Sequence, residues 1–291
     1  MPLTTTVTPG SKPAVDTSLT ADNYAFLRDF IHRESGIALG DDKLYLLQSR
    51  LRPIVESEKL GSLNRLCDQL RLTPDKLRRR VVEALATHET LFFRDPAAFE
   101  ALRTDILPEL AKQRQATRTL RIWSAACSTG QEAYSLVMLM LENGYADWNL
   151  RIDGTDLSSQ IVERATAGRF LQIEVSRGLP AKLLVKYFQR AGLEWQIRDE
   201  VRKPCTFTTF DLRQNMLGRG PYDLVLCRNV LIYFDNETRR RILNGIRGIM
   251  LPGAYLLLGA SETTFNMDAG LVRRSFGNTV AYQVPTLTVQ K

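Results

Sequence analysis

With 291 residues, 44% of them hydrophobic and 24% charged, the chain can bury a core large enough for two soluble domains, and no apolar run approaches the roughly 20 residues needed to cross a bilayer. The net charge of +7 comes from basic and acidic residues that alternate along most of the chain, which weighs against a nucleic-acid-binding stripe. Two histidines and four scattered cysteines without CxxC spacing nearly exclude histidine triads, zinc sites and a disulfide framework; with no charged-then-apolar leader, the expected setting is a reducing cytoplasm.

Residues 1–18, rich in Thr, Pro, Ser and Gly, read as a disordered tail. Residues 19–90 then read as a small helical domain. Tyr24, Phe26, Leu27, Phe30 and Ile31 form the apolar stripe of a first helix that Gly36 closes. Asp41 and Asp42 open a second, lined by Leu44, Leu47, Leu51, Ile54 and Val55, with Lys43, Arg50 and Arg52 on its flanks. Leu60, Leu63, Leu66 and Leu70 mark a third, and Pro74 stands at the first turn of a fourth carrying Leu77, Val81, Val82 and Leu85. The basic cluster Lys76, Arg78, Arg79 and Arg80 has Asp75 and Glu83 beside it and reads as a solvated helix face. Thr87–Arg94 interrupts the helical pattern: Leu91, Phe92 and Phe93 are expected to anchor one domain on the other, with Thr90 and Arg94 facing a shared cleft. A linker helix, kinked at Pro108, is expected within residues 91–118.

From Thr119 onward strands and helices alternate, the mark of a parallel sheet covered by helices. Strands are expected near 119–124, 150–155, 222–227 and 254–259, and helices near 131–143, 158–167, 180–188 and 236–250. Residues 193–210 break the alternation and predict a small antiparallel insertion around a turn at Asp199–Pro204; Thr279–Val284 predicts a closing antiparallel strand. The first strand, Leu120 to Trp123, runs into a turn of small residues (Ser124, Ala125, Ala126, Ser128, Gly130) and then a helix carrying Ala133, Leu136, Val137, Met140 and Leu141. Strand, small-residue turn and helix open a nucleotide-binding βαβ unit, because the turn must let a ligand approach the backbone. Asp156, ending the next strand, stands where a ribose-binding carboxylate belongs. Alanines and serines replace most of the glycines that a pyrophosphate requires, which favours S-adenosylmethionine over a dinucleotide. A fourth feature is the strand Leu224–Leu226, whose carboxyl end delivers Arg228 and Asn229. Polar residues at a buried strand end need partners, so they and Tyr233 are expected to meet the same cleft, whereas Phe234 reads as a core aromatic.

Together, Thr-x-x-Thr-x-Phe-Phe-Arg at 87–94, Trp-Ser-Ala-Ala-x-Ser-x-Gly-x-Glu at 123–132, Asp156, and Cys-Arg-Asn-Val-x-Ile-Tyr-Phe at 227–234 resemble the chemotaxis receptor methyltransferases, the CheR family. The resemblance spans residues 20–284. It implies an α/β class I methyltransferase (Rossmann-like) domain over 119–291, with an inserted antiparallel β-subdomain near 193–210 and an all-α domain in front. It also implies transfer of a methyl group from S-adenosylmethionine to glutamate side chains on the cytoplasmic helical domain of chemoreceptors, leaving S-adenosylhomocysteine. By position, it implies cofactor contacts from His88, Thr90, Arg94, Glu132, Asp156, Asp211, Leu212, Arg228 and Asn229, and a place at the transfer site for Tyr233. His88 and Asp211 stand where some members carry Asn, and Gln131 where a second Glu is common. The second helix is implied to dock the receptor through Lys43, Arg50 and Arg52, which can equally be solubilising charges. The β insertion binds a receptor tethering peptide in some members; the shorter stretch here predicts recognition without it. A monomer without metal, nucleic acid or membrane insertion is expected. A methyltransferase for another substrate and a cofactor-sensing adaptor without turnover stay open as alternatives.

Overall fold

In the computed structural model, residues 15–40, 42–72, 76–264, 267 and 270–286 are described. Asp41, Pro74 and Asp75, and the tail up to residue 14, lie outside them. The chain divides into two compact units that meet between Thr87 and His88.

The first unit contains four helices among the described residues: α1 (Ala21–Ser35), α2 (Leu44–Ser57), α3 (Leu63–Leu72) and α4 (Lys76–Leu85). Thr20 caps α1 by accepting a hydrogen bond from the Asn23 amide, and Gly36 ends it with φ 75°. Leu27, Phe30, Ile31, Leu47, Leu51, Leu66 and Val81 are fully buried among these helices, as their spacing predicts. The chain enters the bundle earlier than expected: Asp16 bridges to Ser62, its amide donating to Gly61 O and its carbonyl accepting from Leu63 N, both at 3.0 Å. In the basic cluster, Arg78 pairs with Glu34 and Arg80 with Glu58.

In the second unit, residues 91–118 contain the expected helix in three pieces. They fold as α5 (Pro96–Ala101), a widened π turn (Leu102–Ile106) and α6 (Leu107–Gln113), and Phe99, Leu102, Ile106, Leu107 and Leu110 are buried with the sheet core. The π turn has a local cause. Pro108 has no amide to give and its ring crowds the carbonyl four residues back, so the helix widens just before it. Phe92 meets Phe170 and Phe188 edge to face at 5.0 and 5.7 Å, so its burial belongs to this unit's own core.

The remaining elements are β1 (Thr119–Ala125), α7 (Gln131–Glu142), β2 (Asn149–Asp156), α8 (Ser159–Ala167), β3 (Arg169–Leu171), α9 (Gln172–Val175), α10 (Ala181–Tyr187), β4 (Phe188–Ala191), β5 (Glu194–Ile197), α11 (Asp199–Arg202), β6 (Cys205–Thr209), β7 (Tyr222–Cys227), a 3-10 turn (Leu231–Tyr233), α12 (Asn236–Gly248), β8 (Met250–Leu258), β9 (Val272–Phe276) and β10 (Thr279–Gln283). Among the described residues they form a seven-stranded sheet in the order β6-β2-β1-β7-β8-β10-β9 and a small antiparallel sheet in the order β3-β5-β4. The insertion therefore differs from expectation. Its strands come from 169–197, and Cys205–Thr209 instead joins the main sheet, parallel to β2.

Alternation along the strands divides the core between the two faces of the large sheet. Ile122, Leu224, Leu226 and Leu257 join the cluster that contains α7, whereas Trp123, Val225, Cys227 and Leu256 join the one that contains α12. Parallel register sets Ala125 beside both Thr155 and Cys227, and Cys227 beside Leu258. Four strands thus end on one edge. The strand order turns back between β1 and β7, the switch point where such sheets bind ligands.

Candidate active site

After β1 the backbone turns tightly, with positive φ at Ala126 (60°), Ser128 (50°) and Gly130 (91°). Ser124 and Ala125 still belong to the strand, so the turn is shorter than the sequence suggests. Two non-glycine residues in the left-handed region each cost about 1–2 kcal/mol, strain of a kind that collects at ligand sites. Gly130 suits this turn twice over: its φ is one that side-chain-bearing residues rarely adopt, and a Cβ there would crowd Tyr134 at 3.0 Å and Phe207 at 3.2 Å.

Asp156 holds this turn. Its Oδ2 accepts from Ser128 N at 3.0 Å and its Oδ1 from Ser158 N at 3.2 Å, tying the loops after β1 and β2 together. His88 Nδ1 lies 3.8 Å from Asp156 Oδ1, and the His88 carbonyl accepts from Ser128 Oγ at 2.7 Å. Thr90 lines a cavity of about 200 Å³ with His88, Thr129, Gln131, Arg164 and Arg177. The Arg94 guanidinium donates to Glu89 O at 2.9 Å.

Arg228 is the buried hub, its side chain only 2% exposed. Nη1 donates to Glu132 Oε2 at 3.0 Å; Nη2 donates to Arg94 O at 3.0 Å and Asp95 Oδ2 at 3.2 Å. Glu132, in the first turn of α7, also accepts from Ser124 Oγ at 2.7 Å. Arg228 therefore joins the end of β7, the start of α7 and the 94–95 segment.

The family models match along both units: "CheR methyltransferase, all-alpha domain" over residues 22–86 and "CheR methyltransferase, SAM binding domain" over residues 88–276. Chemotaxis protein methyltransferase 1 of Pseudomonas aeruginosa is 40% identical over 84% of this chain and 91% of its own length. Chemotaxis protein methyltransferase Cher2 of Pseudomonas putida is 38% identical over 82% and 90%. This chain belongs to the CheR methyltransferase family. It is an enzyme of chemotaxis that takes its methyl group from S-adenosylmethionine. A solved magnesium protoporphyrin IX methyltransferase from Synechocystis covers 93% of the chain and 100% of its own at 16% identity, with a TM-score of 0.36 too low to add to the assignment.

The edge described above fits the CheR donor. Among the described residues, Arg228 Nε is buried with no partner of its own, a donor left over at the centre of the site. The strained turn and Asp156 stand at the carboxyl ends of β1 and β2, on the edge that carries the switch point. Phe210 N donates to Asp156 O at 2.9 Å, bringing Asp211 and Leu212 beside Asp156. Their side chains are already engaged: Asp211 is gripped by Arg213, Nη2 to Oδ2 at 2.6 Å, and Leu212 is buried with Trp123 and Phe210. Tyr233 is half-buried, and among the described residues its hydroxyl has no hydrogen bond. Phe234 is buried, as read.

Sequence reasoning missed Glu262, in the turn after β8. Its Oε2 accepts from Asn229 N and Gly259 N, both at 2.7 Å, and its Oε1 from Val230 N at 2.9 Å, Leu231 N at 2.7 Å and Ile232 N at 3.3 Å. An acid shortly after the carboxyl end of another parallel strand was the available signal. Two cysteines of this region are unreactive by environment: burial, above all, holds the thiols of Cys127 and Cys227 well above their ordinary pKa.

In the all-α unit the three expected docking residues differ in freedom. Arg50 is committed to the end of α4, with Nη1 donating to Ala86 O at 2.8 Å and Nη2 to Thr87 Oγ1 at 3.4 Å. Arg52 makes an exposed pair with Glu56, and Lys43 one with Asp42.

Proposed function

We propose that this enzyme methylates glutamate side-chain carboxylates on the cytoplasmic helical domain of chemoreceptors, leaving glutamate methyl esters and S-adenosylhomocysteine. One observation carries the reading: the unengaged Tyr233 hydroxyl follows the Arg228–Asn229 strand end on a sheet edge whose nearby imidazole, His88, faces Asp156. A glutamate carboxyl with a reference pKa near ~4.3 is ionised at neutral pH, so the acceptor arrives as its own nucleophile and no base has to remove a proton. When bound, S-adenosylmethionine supplies a sulfonium-activated methyl group: a C–O bond forms as the C–S bond breaks, the electron pair returns to sulfur, and no proton moves.

What the chain contributes is alignment and dryness. Asp156 and the turn at 126–130 hold the nucleoside, with the main chain of Asp211 and Leu212 beside the adenine region. His88, Thr90, Arg94, Glu132, Arg228 and Asn229 hold the rest of the donor. Tyr233 orients the acceptor oxygen with a neutral hydrogen bond, since a close cation would blunt its nucleophilicity. Arg228 is neutralised by Glu132 and Asp95 and so exerts little such pull. Lys43 and Arg52 on α2 draw an acidic receptor helix by long-range attraction.

The test is methyl transfer to a purified receptor cytoplasmic fragment with labelled donor. Label should appear, be released as methanol in alkali as an ester is, and vanish when the acceptor glutamates are changed to glutamine. Alkali-stable label, or label that survives the change to glutamine, would overturn the reading.

A further inference from the structure

We infer that Glu262 is the positioning residue that sets Asn229 and Tyr233 in place for methyl transfer, acting through the main chain of residues 229–232. The inference rests on the proposed roles of Asn229 and Tyr233. Asn229 leaves β7 with φ 58°, which turns the successive amides of 229–232 to one side and makes an anion-binding concavity. Glu262 fills it. Three amides converge on Oε1 and two, counting Gly259, on Oε2, at 2.7–3.3 Å. A carboxylate offers about four lone-pair sites, so five donors leave it no spare capacity for a ligand. Its effect on the reaction is therefore indirect.

The opposite polarity of the same segment is held as well. Arg239 of α12 donates through Nε to Leu231 O at 2.8 Å and through Nη2 to Ile232 O at 3.4 Å. An anion on the amides and a cation on the carbonyls clamp one loop from two elements. Glu262 is itself anchored: its amide donates to Gly259 O at 2.9 Å, and Tyr282 of β10 donates to Thr263 Oγ1 at 3.2 Å. Gly259 is required by this approach, because a Cβ there would lie 2.7 Å from both Asn229 Nδ2 and Glu262 Oε2. Transfer is sensitive to such anchoring, since a displacement of about 1 Å at a reacting group can cost about 100-fold in rate.

The experiment uses the full chain with Glu262→Gln, which keeps the volume but replaces one acceptor oxygen with an NH2 facing amide donors. Calorimetry with S-adenosylhomocysteine should show binding weakened about 10-fold or more, and kcat on the receptor fragment should fall about 100-fold. Glu262→Asp, which keeps the charge but shortens the reach, should recover part of the loss. Leu256→Val, a core change in β8, should lower the melting temperature and leave KM for the donor unchanged. Should Glu262→Gln not fold, Glu262→Asp and Arg239→Lys carry the same expectation of raised KM and lowered kcat. Ordinary binding and turnover in the folded variants, or losses no different from Leu256→Val, would overturn the inference. Wild-type protein that fails to bind S-adenosylhomocysteine would instead overturn the site reading itself.

Discussion

Replacing Arg228 with methionine keeps the aliphatic stem and removes the charge and every donor. Three hydrogen bonds from a buried guanidinium go with it, to Glu132 Oε2, Arg94 O and Asp95 Oδ2. Summing them at about 1.5–3 kcal/mol each overshoots, because the freed acceptors do not all stay dry. Asp95 is 30% exposed and regains water, whereas Glu132 at 13% keeps an uncompensated charge. Breaking one buried pair costs about 3–5 kcal/mol, and that range is the expectation here. For a unit of this size it corresponds to a fall of about 10 °C in melting temperature. Trp123, Trp148 and Trp195, the three tryptophans of the chain, all lie in the second unit, so urea unfolding followed by tryptophan fluorescence reports on that unit alone. A further variant sharpens the test. Glu132→Gln should destabilise the wild type, but should restore about 1–2 kcal/mol in the Arg228→Met background, where the carboxylate has lost its cation. A loss below about 1 kcal/mol for Arg228→Met, or the same effect of Glu132→Gln in both backgrounds, refutes the picture of Arg228 as the hub.

Tyr233→Phe should leave S-adenosylhomocysteine binding within about two-fold and lower kcat on receptor by about 10- to 100-fold; normal turnover in steady-state assays removes the hydroxyl from the transfer step. Charge reversal at Arg52 should weaken receptor methylation and make it more salt-sensitive, while Arg50→Ala should chiefly lower the stability of the helical unit by about 1–2 kcal/mol through the lost cap on α4, which calorimetric melting of the two variants separates. Alkali should destabilise the fold. Burial holds the Cys67 thiol up at about 11 against an ordinary 9.0, so the folded chain keeps a proton that the unfolded chain releases. The resulting stability is full below pH 9 and is lost as the pH rises toward 11, at up to about 1.4 kcal/mol per pH unit for each such thiol; a Cys67→Ala variant with the same slope of urea midpoint against pH contradicts this. Titration with a receptor C-terminal peptide should give no micromolar heat of binding.

The elements that the sequence revealed are those whose burial follows a regular pattern. β7 and β8 carry the continuous apolar runs Leu224–Leu226 and Leu256–Leu258, because the central strands of a parallel sheet are covered on both faces, whereas β1 and β2 show themselves by Leu120, Ile122 and Trp123 and by Leu150 and Ile152. β6 was harder to read. As an edge strand it alternates Phe207 with Thr206 and Thr208, which looks like one rung of an antiparallel ribbon until its parallel pairing with β2 is seen. β3 has only three residues, too few for any period to register. In the site, Asp156 and the Arg228–Asn229 pair stood out as polar groups at the ends of buried strands. Glu262 did not, because an acid in a Gly-Ala-Ser-Glu turn looks like any solvated loop, and five main-chain donors have no sequence signature. The hydrogen bonds of Arg50 were likewise invisible: its position on the helix flank suggests freedom, but the carbonyls it donates to belong to Ala84 and Ala86, distant in sequence.

The widened turn at Leu102–Ile106 also governs how the far end of the sheet is tied down. An α-helix advances about 100° per residue, so a regular coil from Pro96 to Gln113 would rotate everything beyond Leu107 around the axis by roughly that angle. Arg114, just past the helix end, would then leave on a different side from the one on which its Nε donates to Asp223 at 2.6 Å. The same carboxylate takes the amide of Arg121 in the strand next door. One surplus residue in a helix thus works as a phase shifter, bringing a side chain at its exit into step with a strand more than a hundred positions later.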